Sequence, residues 1–327
     1  MKGAEQGIEE NIETFFALDY PTYEIIFSVA DPKDPARAAV ARVLQRHPEF
    51  PARLIIGDVD VGPNPKVNNL LYSYREARYD CLLISDSNIR VRPDYLKRVV
   101  SYLQPDVGVV TAVVAGTSGR GFGGKLESTF LNSFYARWMH VAFRLGFGFV
   151  LGKSMLFRRS VAERFGGVQN LSRYIAEDYM AGQAMQRLGL RLVVMREPIR
   201  QHIGSFQFSA FWARHIRWGR IRKSQSPLAF ALEPLLGAIV SGGLGALAFH
   251  VCLDFSPRVF LAIHLAVWAV LDAVLIRHLE ERWDPLALFY WGIRELLAVP
   301  LWIHIACGNS IRWRGNRLKI LRGGLVE

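Results

Sequence analysis

The stretch that most constrains this chain is Cys81-Leu82-Leu83-Ile84-Ser85-Asp86-Ser87-Asn88, an apolar run that ends abruptly in a carboxylate, a hydroxyl and an amide. Its length, with a helical stretch opening at Pro93, predicts an inner strand of a mostly parallel sheet covered on both faces. Such a sheet binds ligands beyond the carboxyl ends of its strands, which is where Asp86 and Asn88 would project. Hard oxygen donors at that place suit Mg²⁺ or Mn²⁺ bridging nucleotide phosphates. The same residues equally suit an Asx-type cap on the following turn.

The flanking segments supply the rest of an α/β grammar. Tyr23 to Ala30 reads as a strand ending at Asp31-Pro32, Pro35 to His47 as a helix, Arg53 to Gly57 as a short strand and Val67 to Arg78 as a helix. Strand, helix, strand, helix, strand is the pattern of a parallel sheet, and Asp31 becomes a second carboxylate at a strand end. Downstream come a helix Pro93 to Leu103, a strand Val107 to Val114 and a glycine-rich stretch from Gly116 to Lys125. Leu126 stands where a phosphate loop needs Ser or Thr, so the glycines read as a mobile loop. An aromatic-rich helix, Lys125 to Phe143, and a strand, Phe149 to Arg158, follow. Glu177 and Asp178 lie in Tyr174-Ile-Ala-Glu-Asp-Tyr179, which opens a helix running to Leu188. Two carboxylates there suit the helix dipole. They also suit a general base taking a proton from an acceptor hydroxyl.

Composition changes after residue 228. The chain has 327 residues, 51% of them hydrophobic, with a net charge of +11. Its apolar residues concentrate in the segments 228–253, 259–276 and 285–307, each long enough to span a bilayer. Basic residues flank these segments, which points to anionic lipid headgroups and away from nucleic acid. Three cysteines give neither a disulfide nor a zinc framework. If the catalytic part and the basic tail, with Arg312, Arg314, Arg317, Lys319 and Arg322, both face the cytoplasm, one apolar segment does not cross. The third is the expected exception, because Arg294 and Glu295 sit in its middle. Glu233 and Asp272, the other carboxylates in this region, are read as helix-packing residues. Between the two parts, Gln207 to Lys223 interleaves aromatic and basic residues as a helix at the membrane interface would. A juxtamembrane patch that sets topology explains the same residues, whereas Arg214 and Arg217 together would clamp a diphosphate. The expected organisation is a nucleotide-sugar-binding catalytic domain over 1–205, an amphipathic interfacial helix over 206–227 and a membrane region with a basic tail over 228–327.

Taken together, Asp31, Asn64-Pro-Lys66-Val-Asn68-Asn-Leu70, Asp86-Ser-Asn88-Ile-Arg-Val91, Tyr174-Ile-Ala-Glu177-Asp178-Tyr179 and Arg214-x-x-Arg217-Trp218 resemble the ceramide glucosyltransferase family. Glu233-Pro234 and Trp313-Arg-x-x-Arg317 extend the resemblance over nearly the whole chain. It implies a membrane-bound, inverting glycosyltransferase with a GT-A (Rossmann-like) fold. It also implies that Asp31, Lys66, Asn68, Asp86 and Asn88 bind a UDP-sugar and that Asp86 helps hold the Mg²⁺- or Mn²⁺-diphosphate. Asp178 would be the base, Arg214 and Arg217 would offset charge on the departing UDP, and Trp218 and Glu177 would line the acceptor site. The reaction would move glucose from UDP-glucose to the primary hydroxyl of ceramide at the cytosolic face of a membrane, a bacterial inner membrane or its equivalent.

Two departures bear on that expectation. Asn88 replaces the second carboxylate of a strict Asp-x-Asp, and residue 1 falls after the family's membrane anchor and first strand. The second departure predicts a missing first strand and a bare strand neighbour beside the nucleotide site. Two other functions fit the residues: transfer of a sugar such as N-acetylglucosamine to a hopanoid or other lipid alcohol, and a silent membrane-binding module.

Overall fold

The computed structural model describes residues 1–3, 5–280, 284–313 and 316–325, so Arg314 of the terminal basic run lies outside the described residues. The chain forms two compact units, Met1–Val114 with Met139–His202, and Ala115–Trp138 with Ile203–Leu325. The segment 115–138 thus belongs with the later part of the chain.

The first unit is α/β. Strands β1 (Ile25–Val29) and β2 (Ala52–Ile56) pair in parallel, in register from Ile25 opposite Ala52 to Val29 opposite Ile56. The helix Pro35–Arg46 that joins them is capped by Asp34, whose carboxylate accepts from Ala36 N at 2.8 Å, and Pro35 supplies a first-turn residue with no N–H to satisfy. Val40, Val43 and Ala39 from that helix close over Phe27 and Val29 of β1.

The larger sheet has five strands: β3 (Cys81–Ser85), β4 (Ile89–Arg90), β5 (Val107–Thr117), β6 (Ser154–Arg158) and β7 (Arg191–His202), in the order β3-β6-β5-β7-β4. β3 with β6, β5 with β6, and β4 with β7 all pair antiparallel. The α/β class with a central sheet is therefore as expected, but the sheet is mixed where a mostly parallel one was expected. The residue types of a strand do not specify its partner's direction, and only a parallel step requires a crossover helix. The inner strand is also different. β5 is buried along all but its last residue, whereas β3 is a part-buried edge strand with Cys81 exposed. Among the described residues β1 and β3 are edge strands of their sheets.

The second unit is mostly helical among the described residues and also holds the end of β5 and the hairpin of β8 (Ser310–Trp313) and β9 (Asn316–Lys319). Part of the glycine-rich stretch expected as a loop is the helix Gly121–Phe130, which a π-helical turn continues from Leu131 to Tyr135. Its glycines serve close packing. A Cβ on Gly123 would lie 2.4 Å from Phe206 O, and one on Gly124 would lie 2.9 Å from Gly204 O. The helix Phe208–Gln225 occupies most of the expected interfacial segment and buries Phe211, His215 and Gly219, one residue per turn.

Among the described residues one helix, Pro257–Glu280, is long and apolar enough to cross a membrane. Only 11% of its most apolar 18-residue window is buried, and Val270, Leu271 and Val274 face outward. Apolar surface of that extent matches lipid. The expected straight span 228–253 is broken, with Pro227–Leu236 and Ala238–Leu253 meeting at 73°. Pro234 cannot donate to a helix, and Gly237 is extended at ψ 154°. The third segment, Ala287–Ala306, turns Arg294 and Glu295 into the unit, where both are buried.

Candidate active site

Asn64 organises the charged site of the first unit. Its side-chain oxygen caps the helix Pro65–Glu76 by accepting from Lys66 N at 2.8 Å and Val67 N at 3.2 Å. Its amide nitrogen donates to Tyr174 O at 2.7 Å and Glu177 Oε2 at 3.1 Å. One buried side chain thereby ties the start of one helix to the start of another, Glu177–Arg187. The cap places Lys66 on the first turn, where its Nζ lies 2.8 Å from Glu177 Oε1, 3.7 Å from Asp86 Oδ1 and 3.3 Å from Gly152 O.

Asp86 follows β3 directly, and Lys153, just before β6, reaches its Oδ2 at 3.2 Å. Asp178 is held by backbone donors, accepting from Gly152 N on Oδ2 at 2.7 Å and from Tyr179 N on Oδ1 at 2.8 Å. Glycine at 152 leaves room for the cluster, since a Cβ there would lie 2.6 Å from Lys66 Nζ and 3.0 Å from Asp178 Oδ2 and would displace the end of the lysine.

The cluster sets three carboxylates against two lysines, and the surplus acid falls on one group. Burial, then the neighbouring Glu177, push the Asp178 carboxyl up to about 6, against the opposing pull of Lys66 and the two backbone donors. Asp86 moves the other way. Burial raises it, but Lys66 and Lys153 outweigh that and hold it below the ordinary carboxylate range. Burial disfavours the Lys66 ammonium, yet Glu177, Asp86 and Asp178 outweigh it and keep that lysine charged. Neighbouring carboxylates pushed in opposite directions are what a site needs if one is to stay ionised and the other to exchange a proton near neutrality.

The remaining residues expected here have individual placements. Asp31 stands two residues beyond β1 with an exposed carboxylate that accepts from Lys33 N at 2.8 Å, an Asx turn. Asn68 spends both ends of its amide on the preceding loop, donating to Gly62 O at 2.9 Å and accepting from Val61 N at 3.3 Å. Glu177, expected at the acceptor, is buried and engaged by Lys66 and Asn64. Asn88 has a buried side-chain oxygen without a hydrogen-bond partner. Among the described residues no three His, Cys, Asp or Glu side chains converge as a closed metal cage. Asp86, 35% exposed, and the orphaned Asn88 oxygen do fit an open Mg²⁺ or Mn²⁺ site, in which one or two protein ligands are completed by substrate phosphates.

Arg214, Arg217 and Trp218 lie on the helix Phe208–Gln225 of the second unit. There Glu127, fully buried, receives Arg214 Nη1 on Oε1 at 2.9 Å and faces His215 Nε2 with Oε2 at 2.8 Å. Burial pushes the Glu127 carboxyl up, but His215 and Arg214 overcome it and hold the group at about 2. The Arg214 guanidinium lies over the Phe206 ring at 4.4 Å and the Trp218 ring at 5.8 Å, and the His215 ring meets Trp218 edge-on at 5.4 Å.

Lys153, Gly152 and Glu127 were not expected from the sequence. Lys153 reaches Asp86 through an antiparallel pairing that residue types do not announce. Glu127 carried a usable signal, the one carboxylate in the helix Gly121–Phe130, whose only other charged residue is Lys125.

Comparison with known proteins agrees with these motifs. The chain is 29% identical to ceramide glucosyltransferase 1 of Caenorhabditis elegans, over 99% of this chain and 71% of that protein. It is 27% identical to ceramide glucosyltransferase 3 of the same organism, over 99% and 72%, and 26% identical to the ceramide glucosyltransferase of Komagataella phaffii, over 98% and 81%. Among solved structures, S. aureus TarS 1–349 is similar over 99% of this chain and 96% of that one, with 13% identity and a TM-score of 0.42. The model of glycosyl transferase family 21 matches residues 1–326, and the chain belongs to that family of nucleotide-sugar-dependent glycosyltransferases.

Proposed function

We propose that this chain transfers glucose from UDP-glucose to the primary hydroxyl of ceramide with inversion at the anomeric carbon, its catalytic unit on the cytosolic side of the membrane. The observation that carries the proposal is the cluster in which Lys66 joins Asp86 to Glu177 beside Asp178, with the Asp178 carboxyl raised to about 6 and that of Asp86 lowered. Asp178 acts as the base that takes the proton of the acceptor hydroxyl as its oxygen attacks the sugar. UDP leaves from the opposite face, and one displacement converts an α-linked donor into a β-linked product. The names of the relatives support glucose and ceramide as the substrates.

Asp86 and Asn88 are the residues that would hold Mg²⁺ or Mn²⁺ with the diphosphate. When bound, the cation offsets the charge that builds on the leaving group. Asp31 serves the uridine, Lys66 keeps Asp86 ionised, and Arg214 and Arg217 offset charge on UDP while Trp218 contributes to the acceptor site. The lipid-matching exterior of Pro257–Glu280 supports an acceptor drawn from the membrane, and the bent pair 227–253 would supply a second crossing. Detergent-solubilised protein given UDP-glucose and ceramide should form glucosylceramide, identified by mass, and Asp178→Ala should abolish it. Failure of the wild-type chain to form that product while binding UDP-glucose would overturn ceramide as the acceptor. Failure to bind any UDP-sugar would overturn the catalytic reading altogether.

A further inference from the structure

A hydroxyl stands in the middle of β5, where nearly every residue is buried. Across residues 107–115 that strand is apolar or glycine except for Thr111, which is itself fully buried. Threonine and valine both suit a strand, so strand propensity does not account for the hydroxyl. Its partners do. Thr111 Oγ1 accepts from Leu151 N at 3.2 Å and donates to Leu151 O at 3.4 Å.

Leu151 opens the turn 151–154, closed by Ser154 N donating to Leu151 O at 3.3 Å, through which the chain enters β6. The β5–β6 ladder ends with Thr111 opposite Met155, so it stops short of this turn. Backbone groups beyond the end of a ladder still need partners, and the Thr111 hydroxyl supplies them for Leu151.

The two middle residues of the turn touch Asp178, Lys66 and Asp86, all in the first unit. Gly152 N donates to Asp178 Oδ2 at 2.7 Å, and Gly152 O accepts from Lys66 Nζ at 3.3 Å. Lys153 O accepts from Asp86 N at 3.4 Å, and Lys153 Nζ reaches Asp86 Oδ2 at 3.2 Å. The two ends of the turn are held differently. Ser154 is fixed by the β3–β6 ladder, in which it pairs with Ser85, whereas Leu151 has the Thr111 hydroxyl.

We infer that Thr111 is a positioning residue for sugar transfer: through Leu151 it fixes the Gly152 N–H against the Asp178 carboxylate and so places the base relative to Asp86. It acts through the backbone of the turn and not on the substrates. The inference rests on the reading of Asp178 as the base and adds what sets its place.

The test compares detergent-solubilised Thr111→Val, Thr111→Ser and Asp178→Ala in the UDP-glucose and ceramide assay, with calorimetric affinity for UDP-glucose measured on each. Valine keeps the shape and removes the hydroxyl. Thr111→Val should lower kcat about tenfold or more, the scale expected when a reacting group shifts by part of an ångström. A loosened Gly152 N–H raises the proton affinity of Asp178, with Glu177 and Lys66 still facing it, so the acid limb of kcat/KM should move up by about half a pH unit or more. Affinity for UDP-glucose should stay within about twofold, because the Asp86 side of the turn keeps its ladder, and this also shows that the variant is folded. Thr111→Ser retains the hydroxyl and should restore both kcat and the acid limb. If Thr111→Val does not bind UDP-glucose, Thr111→Ala set against Thr111→Ser makes the same comparison without a bulky side chain at the turn. An unchanged kcat in a folded variant lacking the hydroxyl, an acid limb that stays in place, or a serine variant as slow as the valine one would each overturn the inference. The two readings fail separately. Turnover retained in Asp178→Ala removes the base and, with it, anything for Thr111 to position. An inactive Asp178→Ala beside a fully active Thr111→Val leaves the base standing and removes Thr111.

Discussion

The two charge clusters differ in the balance of their partners. Around Asp86 and Asp178, three carboxylates share two lysines, and the proton affinity of Asp178 rises to about 6. Around Glu127, a single carboxylate is shared by Arg214 and His215 and is held at about 2. Surplus acid leaves a group that can gain and lose a proton in the working pH range. Surplus base leaves a permanently ionised clamp. Burial alone explains neither outcome, since both groups are withdrawn from water, and the identity of the neighbours decides.

The largest expected effect tests the first half of that contrast. Asp178→Asn should lower kcat by roughly 10² to 10⁴-fold, the usual contribution of a general base. In the wild type kcat/KM should fall as pH drops through about 6, because the base is lost when Asp178 is protonated. A rate loss under tenfold, or an acid limb below pH 5, would remove Asp178 from that role.

The second half is tested by Glu127→Gln. Removing the carboxylate leaves the Arg214 guanidinium without its counter-charge and the His215 ring without its carboxylate partner, and breaking a buried pair of this kind costs about 3–5 kcal/mol. Thermal unfolding should therefore shift down strongly. Because the folded carboxyl sits below its ordinary 4.5, its stabilisation is complete above that value and is lost as pH falls from there towards 2. The wild type should thus lose stability over that window while the variant loses little, and parallel acid profiles would show that Glu127 is not a clamp.

Lys66→Met sharpens the contrast by making the first cluster more acidic still. With the ammonium gone, the repulsion of Glu177 on Asp178 loses its main opposing charge, and the acid limb of kcat/KM should move up by about one to three pH units. An acid limb that stays near 6 would mean that Lys66 is too well screened to set the base.

What the sequence conveyed follows the same division. Asp86, Lys66 and Asp178 were legible because each lies at an element boundary within a local motif, and local spacing is what a sequence displays. The α/β class was legible from the alternation of strand and helix up to β3. The antiparallel return of β6 was not, so neither Lys153 nor the edge position of β3 was foreseen. Glu127 lies 87 residues before its partner Arg214, and nothing local links them. The glycines at 123 and 124 misled for a related reason. They looked like a loop because the backbone of residues 204–207, which needs their missing side chains, is equally remote in sequence.

Asn88→Asp should have the smallest effect and is the finest test of the first cluster. The Asn88 oxygen is buried without a partner, two residues from Asp86, which Lys66 and Lys153 hold ionised. A carboxylate at 88 adds attraction for a divalent cation but also repels Asp86. The two lysines already offset much of that repulsion, so attraction for the doubly charged ion should prevail. The Mg²⁺ or Mn²⁺ concentration for half-maximal turnover should then fall roughly five- to tenfold, the size of one extra charge at contact in a well-screened site. At saturating metal kcat should stay near wild type, since the base is untouched, and a chelator should silence both forms. An unchanged metal titration would show that the Asn88 oxygen is not a donor and that Asp86 meets the cation without it.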